Sequence, residues 1–128
     1  MKKRILTCLL VLLFTGMAVR PVQAAGEHLV DSAGLLSQTE ADTLRTQLEE
    51  ISNRQDVDIV VVTVNSTDGQ DIQYYAADYY DYNGYRPDGI LMMLDMGTRS
   101  WFVCTTGYGI TAVTDAGLRW MQDRFLPY

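Results

Sequence analysis

The stretch from Asp88 to Asp115 constrains the fold more than any other part of the chain. Two apolar runs, Ile90–Leu94 and Trp101–Cys104, flank the turn residues Asp95–Thr98, which is the layout of a β-hairpin with a short loop. Neither run alternates between apolar and polar residues, so we expect both faces of each strand to be covered. Strands covered on two faces lie in the middle of layered α/β domains.

Three helical patterns and one further strand surround this hairpin. A capping box begins the first helix, with Ser37 at the N-cap and Glu40 three residues later. The run Ile59–Val64 is typical of a strand that lies beside the hairpin, and helices are predicted over Gln70–Tyr82 and Asp115–Leu126. The order extended–α–β–α–β–β–α predicts an α/β fold with a mixed central sheet and helices on both faces.

The second predicted helix has two contrasting sides. An inner stripe of apolar and tyrosine residues opposes a mainly acidic outer side: Ile72, Tyr75, Ala76 and Tyr79 against Asp71, Tyr74, Asp78 and Asp81. The tyrosines favour a core stripe whose hydroxyls reach water, with a ligand platform as the alternative. Asp68 is the predicted cap of this helix, and Gly107–Val113, after the hairpin, is predicted to be a loop.

The first 24 residues have the pattern of a secretory signal peptide. A basic start, Met1–Arg4, precedes the apolar run Ile5–Val19, and Val22–Ala24 supplies a small-residue cleavage site. The alternative is a transmembrane anchor, for which the run is short. We therefore expect cleavage after Ala24, one domain over residues 25–128, and a secreted or cell-envelope protein with no transmembrane span after cleavage.

The remaining chain is strongly acidic. Four of the ten Lys and Arg residues lie in the leader and all sixteen Asp and Glu residues follow it, which leaves a net charge of −10. Such a surface repels nucleic acid and anionic lipid, so no nucleic-acid partner is expected. It attracts a divalent metal or a basic partner, although a merely soluble exported surface explains the same charge.

Nucleophilic catalysis has little support in the sequence. Cys104 is the only cysteine after the leader, and it lies in an apolar strand, where a thiol behaves as a small buried hydrophobe. The only histidine, His28, follows the cleavage site and is expected to be solvated in a mobile arm, so no Cys–His or Ser–His pair is predicted. The chain has no Walker loop, no His-Glu-x-x-His motif and no Cys-x-x-Cys motif.

The motifs after the leader resemble the TPM domain family of phosphatase-like proteins. The resemblance covers Leu29–Tyr128 and rests on V-D-S-A-G-L-L-S, D-I-V-V-V-T-V, Y-D-Y-N-G-Y-R-P-D-G-I-L-M-M-L-D, T-R-S-W, G-Y-G-I-T-A-V-T-D-A-G and F-L-P-Y. It implies a three-layer α/β/α sandwich exported to a lumen, periplasm or cell envelope. Some family members are similar to acid phosphatases, some bind calcium or another divalent metal, and others are accessory factors of membrane complexes. Family domains usually continue past L-P-Y into another helix, which we expect this domain to lack.

The resemblance also implies candidate site residues. Asp88, Asp115 and Asp31 match acidic positions of the family's motifs, and carboxylate oxygens are the ligands that calcium and magnesium prefer. Arg99 and Asp95 match the arginine and the acid of the hairpin turn, where an arginine can contact phosphate in a bidentate way. Structural interpretations compete: Asp88 as a turn residue, Asp115 at a helix N-terminus, and an Asp95–Arg99 surface ion pair.

Two functions follow from the sequence. The first is an envelope accessory module that binds a divalent cation, such as Ca²⁺, or an envelope or membrane protein partner. The alternative is a metal-assisted acid phosphatase that hydrolyses phosphomonoesters. Binding a phosphate requires cationic side chains. Among the candidate site residues only Arg99 is a cation, and Arg86 is nearby in sequence. This scarcity favours the accessory module.

Overall fold

A computed structural model describes residues 26–125, and the predicted signal peptide with its cleavage site lies outside this range. The elements follow one another as β1 (Leu29–Asp31), α1 (Gln38–Gln55), β2 (Asp58–Val64), α2 (Ile72–Tyr82), β3 (Gly89–Asp95), β4 (Ser100–Thr106), α3 (Tyr108–Ala112) and α4 (Asp115–Phe125). Within that range, no helix combines the length and the apolar character that crossing a bilayer requires.

The strands form one mixed sheet in the order β1-β2-β3-β4. Strands β1, β2 and β3 are parallel, and β4 is antiparallel to β3. The register of the two inner strands runs from Asp58 opposite Gly89 to Val64 opposite Asp95. The predicted hairpin is therefore confirmed, and so is the prediction that Ile59–Val64 lies beside Ile90–Leu94.

One face of the sheet carries the main hydrophobic core. Alternate residues of β2 and β3 meet the inner side of α2 there, and the buried cluster consists of Val60, Val62, Val64, Ala76, Tyr80, Leu91 and Met93. Fully burying a large aliphatic side chain is worth about 1.5–3 kcal/mol, so each large aliphatic member of this cluster stabilises the domain by an amount of that order. The predicted inner stripe of α2 packs against it, and Tyr80, which the stripe did not include, is also buried.

Helix α1 covers the other face, over β1 and β2. Leu29 points to that face, because its neighbour Val30 packs against the main core and successive strand side chains alternate. Leu29 and Leu48 of α1 are both buried. The predicted capping box is present, since Ser37 Oγ accepts from Glu40 N–H and a Glu40 carboxylate oxygen accepts from Ser37 N–H. The predicted three-layer α/β/α sandwich is thus confirmed.

The expectation that both faces of both hairpin strands are covered is wrong for β4. That strand lies at the edge of the sheet, and each of its seven residues is only half-buried. On β3, Leu91 and Met93 are buried on the α2 side, whereas Met92 and Leu94 on the other side are half-buried. Helix α1 reaches only β1 and β2, and α4 makes no close backbone approach to any described strand.

Two local features differ from the sequence prediction. Helix α2 is capped by Asp71, whose carboxylate accepts from Gln73 N–H, because Asp68 lies three residues earlier in a turn with φ 54°. The predicted loop Gly107–Val113 contains the short helix α3, which starts after the left-handed turn at Gly107 (φ 54°). At the start of α4, the Thr114 hydroxyl oxygen accepts from Gly117 N–H, which is the hydrogen bond of an N-cap residue.

Candidate functional site

Two of the predicted site residues lie at the edge where the three parallel strands end. Asp31 ends β1 and Asp95 ends β3. Asp31 pairs in register with Thr63, and Thr63 pairs with Leu94, so both acids lie at the same level of the sheet. Ligands of open α/β sheets tend to bind outside the carboxyl ends of the strands. This edge is the first candidate site.

Asp31 binds its own loop. Its Oδ1 accepts from Thr63 Oγ1 at 2.6 Å and from Leu35 N–H at 3.0 Å, and its Oδ2 accepts from Leu36 N–H at 2.9 Å. These bonds, the Thr63 hydroxyl first, lower the pKa of the carboxyl group. Both oxygens therefore hold the turn that links β1 to α1, and Asp31 is the anchor of that turn.

An open pocket of about 370 Å³ adjoins this turn. Its lining includes the acids Asp31 and Glu27, and Arg45 is the only cation among the lining residues. The guanidinium of Arg45 lies 3.0 Å from the Asp42 carboxylate. A phosphate in this pocket would meet one cation that is already paired and two repelling carboxylates.

Asp95 has an equally local task, because it stabilises the hairpin turn. It is 1% exposed, and it accepts from Thr98 Oγ1 at 2.8 Å and from Gly97 N–H at 2.9 Å. The Thr98 hydroxyl is the main cause that lowers the pKa of Asp95. Arg99 is exposed, has φ 57°, and forms no ion pair within residues 26–125. The surface ion pair between Asp95 and Arg99 is thus wrong.

Asp88 lies at the opposite end of the parallel strands, where β3 begins. It precedes β3, and its Oδ1 accepts from Tyr108 N–H at 2.6 Å, which fastens the start of α3 to the start of β3. Asp31 is level with Leu94, six residues further along the sheet at about 3.3 Å per residue, so roughly 20 Å separates Asp31 from Asp88. Asp115 is exposed in the first turn of α4. The predicted trio of Asp88, Asp115 and Asp31 cannot share one ion.

The described residues also lack a larger cluster of metal-binding side chains. In the part of the chain that the structure describes, no three or more His, Cys, Asp or Glu side chains are grouped so that they could hold a metal ion. Calcium takes six to eight oxygen ligands, which a pair of carboxylates supplies only together with backbone carbonyls or water.

A buried polar network that the sequence did not indicate lies beneath α1. His28 Nδ1 donates to the Ile59 carbonyl at 3.0 Å, since that oxygen can only accept, and Ser52 Oγ lies 3.1 Å from the same nitrogen. His28 Nε2 lies 3.8 Å from an Asp58 carboxylate oxygen. The expectation of a solvated His28 in a mobile arm is therefore wrong. Its partners are 24 to 31 residues away in sequence, where no local pattern reveals them.

The composition of this network matches a Ser-His-Asp triad, but its geometry does not. Ser52 is 0% exposed, and its hydroxyl oxygen accepts Ile59 N–H at 2.9 Å, so a substrate has no access to it. Arg86 closes the network, because its backbone N–H donates to Asp58 at 2.7 Å and its side chain donates to the Ser52 carbonyl at 3.2 Å. The network ties β1, β2 and α1 together and is structural.

The outer side of α2 is the second candidate site. Tyr74 is 71% exposed and Tyr82 is 84% exposed, and eight residues of helix place them about 12 Å apart along its axis. Asp71, Asp78 and Asp81 are exposed on the same side, as the sequence predicted. At about 100° per residue all five fall within an arc of about 100°. These five residues are called the acidic tyrosine surface below.

The acidic tyrosine surface is electrostatically unfavourable by itself. No Lys or Arg occurs between Gln70 and Tyr85, and no salt bridge of the described residues reaches the surface. Asp81 lies in the last turn of α2, where the helix dipole disfavours an anion. Asp78 lies one turn earlier, and such like-charged pairs cost a helix about 0.2–0.5 kcal/mol. The surface thus combines uncompensated charge with two open aromatic rings.

Comparison with known proteins gives a consistent result. The family model described as the TPM domain matches residues 29–128. UPF0603 protein YdjH of Bacillus subtilis is 35% identical over 77 residues, which cover 60% of this chain and 30% of YdjH. The match thus spans well under two thirds of that curated relative.

Two solved structures share the fold. The N-terminal domain of a protein from P. gingivalis has a TM-score of 0.69 and 26% identity, covering 83% of this chain and 72% of that one. The N-terminal domain of the cg2496 protein from Corynebacterium glutamicum has a TM-score of 0.60 and 20% identity, covering 84% and 68%. The second likeness is evidence for the fold alone.

Proposed function

Because the chain belongs to the TPM domain family, we propose that it is an exported accessory domain that binds a basic segment of an envelope or membrane protein at the acidic tyrosine surface. The observation that carries the proposal is the exposure of Tyr74 and Tyr82 beside three carboxylates that form no salt bridge within residues 26–125. Tyrosine is enriched in protein interfaces and among the residues that dominate binding energy. An arginine or lysine of a partner would stack on the rings and neutralise the carboxylates.

Export is part of the same proposal and rests on the N-terminal sequence. The basic start, the apolar run and the Val22–Ala24 site support it. Mass spectrometry of the secreted protein should find an N-terminus at or next to Ala25. An intact Met1 on a membrane-embedded product would contradict export by cleavage.

Metal-assisted phosphatase activity has less support from the geometry. Asp31 and Asp95 use their oxygens within their own turns, and Arg45 in the adjoining pocket is paired. Arg99 is exposed at the hairpin turn and is the one free cation near that edge among the described residues. Hydrolysis of p-nitrophenyl phosphate by purified protein with Mg²⁺, abolished by Arg99→Gln, would favour the phosphatase over the binding domain.

Calcium binding at Asp88 and Asp115 remains a separate proposal. Oδ2 of Asp88 accepts no hydrogen bond from the described residues, and Asp115 is exposed. A chain with a net charge of −10 after the leader attracts divalent cations. Asp31 has no part in this pair, since it lies at the other edge of the sheet.

A labelled peptide of alternating arginine and alanine tests partner binding by fluorescence anisotropy at about 0.15 M salt. The wild-type protein should bind it. Tyr74→Ala with Tyr82→Ala leaves the charge unchanged but removes two cation–π contacts of about 0.5–1 kcal/mol each. Affinity should therefore fall about 5- to 30-fold.

A matched pair of charge variants separates this surface from general acidity. Asp78→Asn with Asp81→Asn removes two charges from the acidic tyrosine surface, and Glu49→Gln with Glu50→Gln removes two exposed charges from α1 on the other side of the sheet. The α2 variant should weaken binding at least as much as the tyrosine variant does, and the α1 variant should stay within about twofold. Equal losses of affinity in the two charge variants would show that the interaction is non-specific electrostatic attraction.

A further inference from the structure

Strand β4 has one side without a partner. It pairs with β3 along Ser100–Thr106, and no other backbone group of residues 26–125 bonds to it. In an antiparallel ladder the backbone groups of alternate residues point away from the neighbouring strand. Those groups of β4 therefore point outward along a length of about 24 Å, which is seven residues at about 3.4 Å each. Helix α3 contacts both β4 and β3. A Cβ on Gly109 would meet the Gly89 carbonyl, so the middle of this short helix lies beside β3, on the inner side of β4.

The β4 edge also lacks the features by which proteins usually protect an edge strand. Such edges carry charged residues or proline, or they are very short. The opposite edge strand, β1, has only three residues. Strand β4 has seven, S-W-F-V-C-T-T, with neither a charge nor a proline. An uncharged extended edge of this length favours addition of another strand.

The charges at the two ends of β4 indicate which strand would be added beside it. The exposed Arg99 precedes the strand. At its other end, Thr106 pairs with Gly89, and Asp88 precedes Gly89. The edge thus runs from a positive end through an uncharged middle to a negative end. An antiparallel copy of the same edge brings each Arg99 toward the Asp88 end of the other copy, whereas a parallel copy would oppose like charges.

We propose that two copies of this chain pair along β4 in antiparallel orientation and form one eight-stranded sheet. The two-fold axis passes beside Val103, the middle residue of the strand, so Ser100 of one copy lies opposite Thr106 of the other. A symmetric dimer needs a self-complementary surface, and both the hydrogen-bonding edge and the end charges satisfy that condition. The seven-residue overlap is small for a protein interface, so the dimer forms reversibly as concentration rises.

Pairing of this kind has a consequence for partner binding. Directly opposite residues of an antiparallel pair lie on the same face of a sheet. Helix α2 contacts β3 and β4, so both acidic tyrosine surfaces of the dimer lie on one face. A partner with two basic segments would then bind with avidity. The dimer itself does not depend on the proposed function, because no residue of the acidic tyrosine surface belongs to β4.

Sedimentation velocity of the purified protein over a wide concentration range tests the dimer at about 0.15 M salt, where the Debye length is about 8 Å and the mutual repulsion of two acidic copies is screened. The wild-type mass should rise toward twice the monomer value. Val103→Lys and Val103→Glu each place like charges opposite one another across the axis, and each should keep the protein monomeric. An equimolar mixture of the two should restore the dimer as a heterodimer. Thr43→Lys, an exposed change on α1, should dimerise like the wild type.

Two sedimentation results would overturn the proposal. One is a wild-type protein that stays monomeric at millimolar concentration, and the other is dimerisation of both Val103 variants as strong as that of the wild type. Hydrogen exchange of the wild type gives a test that needs no variant. The outward amides of β4 should become protected as concentration rises, and protection that appears at another surface instead would also contradict β4 pairing.

Discussion

Two neighbouring residues of β3 test the one-sided covering of the hairpin. Leu91 is fully buried against α2. Met92 points to the opposite face of the sheet, in the part of that face that α1 does not reach. Replacing Leu91 by alanine loses the transfer free energy of the side chain and leaves a cavity, a combined cost of about 3–5 kcal/mol. Met92 is only half-buried, so Met92→Ala should cost about half of the 1.5–3 kcal/mol for a fully buried side chain, or about 1 kcal/mol.

Urea unfolding followed by far-ultraviolet circular dichroism measures both costs. A small domain has a total stability of about 5–15 kcal/mol, so Leu91→Ala should move the midpoint far toward zero denaturant while Met92→Ala shifts it slightly. The slope with denaturant should stay the same in both variants, as expected for an unchanged fold. Equal losses at the two positions would refute the reasoning, because they would mean that both faces of β3 are equally covered.

Three further predictions concern ionisable groups. The pKa of Asp95 is lowered in the folded state, chiefly by the Thr98 hydroxyl. The contribution of the ionised carboxylate to folding stability is therefore present above the unfolded pKa of about 3.9 and is lost as pH falls further. Asp95→Asn should flatten the acid side of a stability–pH curve measured by thermal melting. Burial, aided by the charge of Asp58, raises the pKa of Tyr80 to about 12, so stability should fall as pH rises from about 10 toward 12. In alkaline melts Tyr80→Phe should fall less steeply over that interval, and an unchanged slope would exclude Tyr80 as the cause. Millimolar calcium should raise the melting temperature, and Asp88→Asn with Asp115→Asn should abolish the rise; no rise in the wild type would remove the metal proposal.

The elements with strong local signals were predictable from the sequence. The hairpin follows from two apolar runs around a turn, and the start of α1 follows from the spacing of Ser37 and Glu40, because both patterns act within a few residues. The exposed acids of α2 follow from helical periodicity in the same way. These are short-range features, and the structure confirms them.

The roles of the individual acids were not predictable, because their partners are distant in sequence. Asp31 accepts from Thr63, 32 residues away, and His28 meets Asp58 and Ser52 only after β1, β2 and α1 have assembled. The resemblance suggested Asp31 and Asp88 as ligands of one metal site. In a parallel sheet, however, the end of β1 and the start of β3 lie at opposite ends of the strands. Sequence position alone could not show this separation.

The position of β4 was missed for a different reason. Its alternate residues face two different environments. Phe102 and Cys104 pack against the main core. Trp101 and Val103 point to the opposite face of the sheet, in the part that no helix of the described residues closely covers. A run that is apolar on both faces is typical of an inner strand. An uncharged edge strand gives the same pattern, so only the topology distinguishes the two.

The proposed function depends on the binding of a basic protein segment to the outer side of α2. A photo-crosslinking amino acid at position 82, in the protein expressed in the organism that encodes it, tests this most directly, with the same amino acid at the exposed position 50 of α1 as the control. Sequencing of the crosslinked peptides should show an arginine- or lysine-rich segment of one protein at position 82 and not at position 50. Crosslinks at position 82 that carry no basic segment, or the same products at both positions, would contradict the claim.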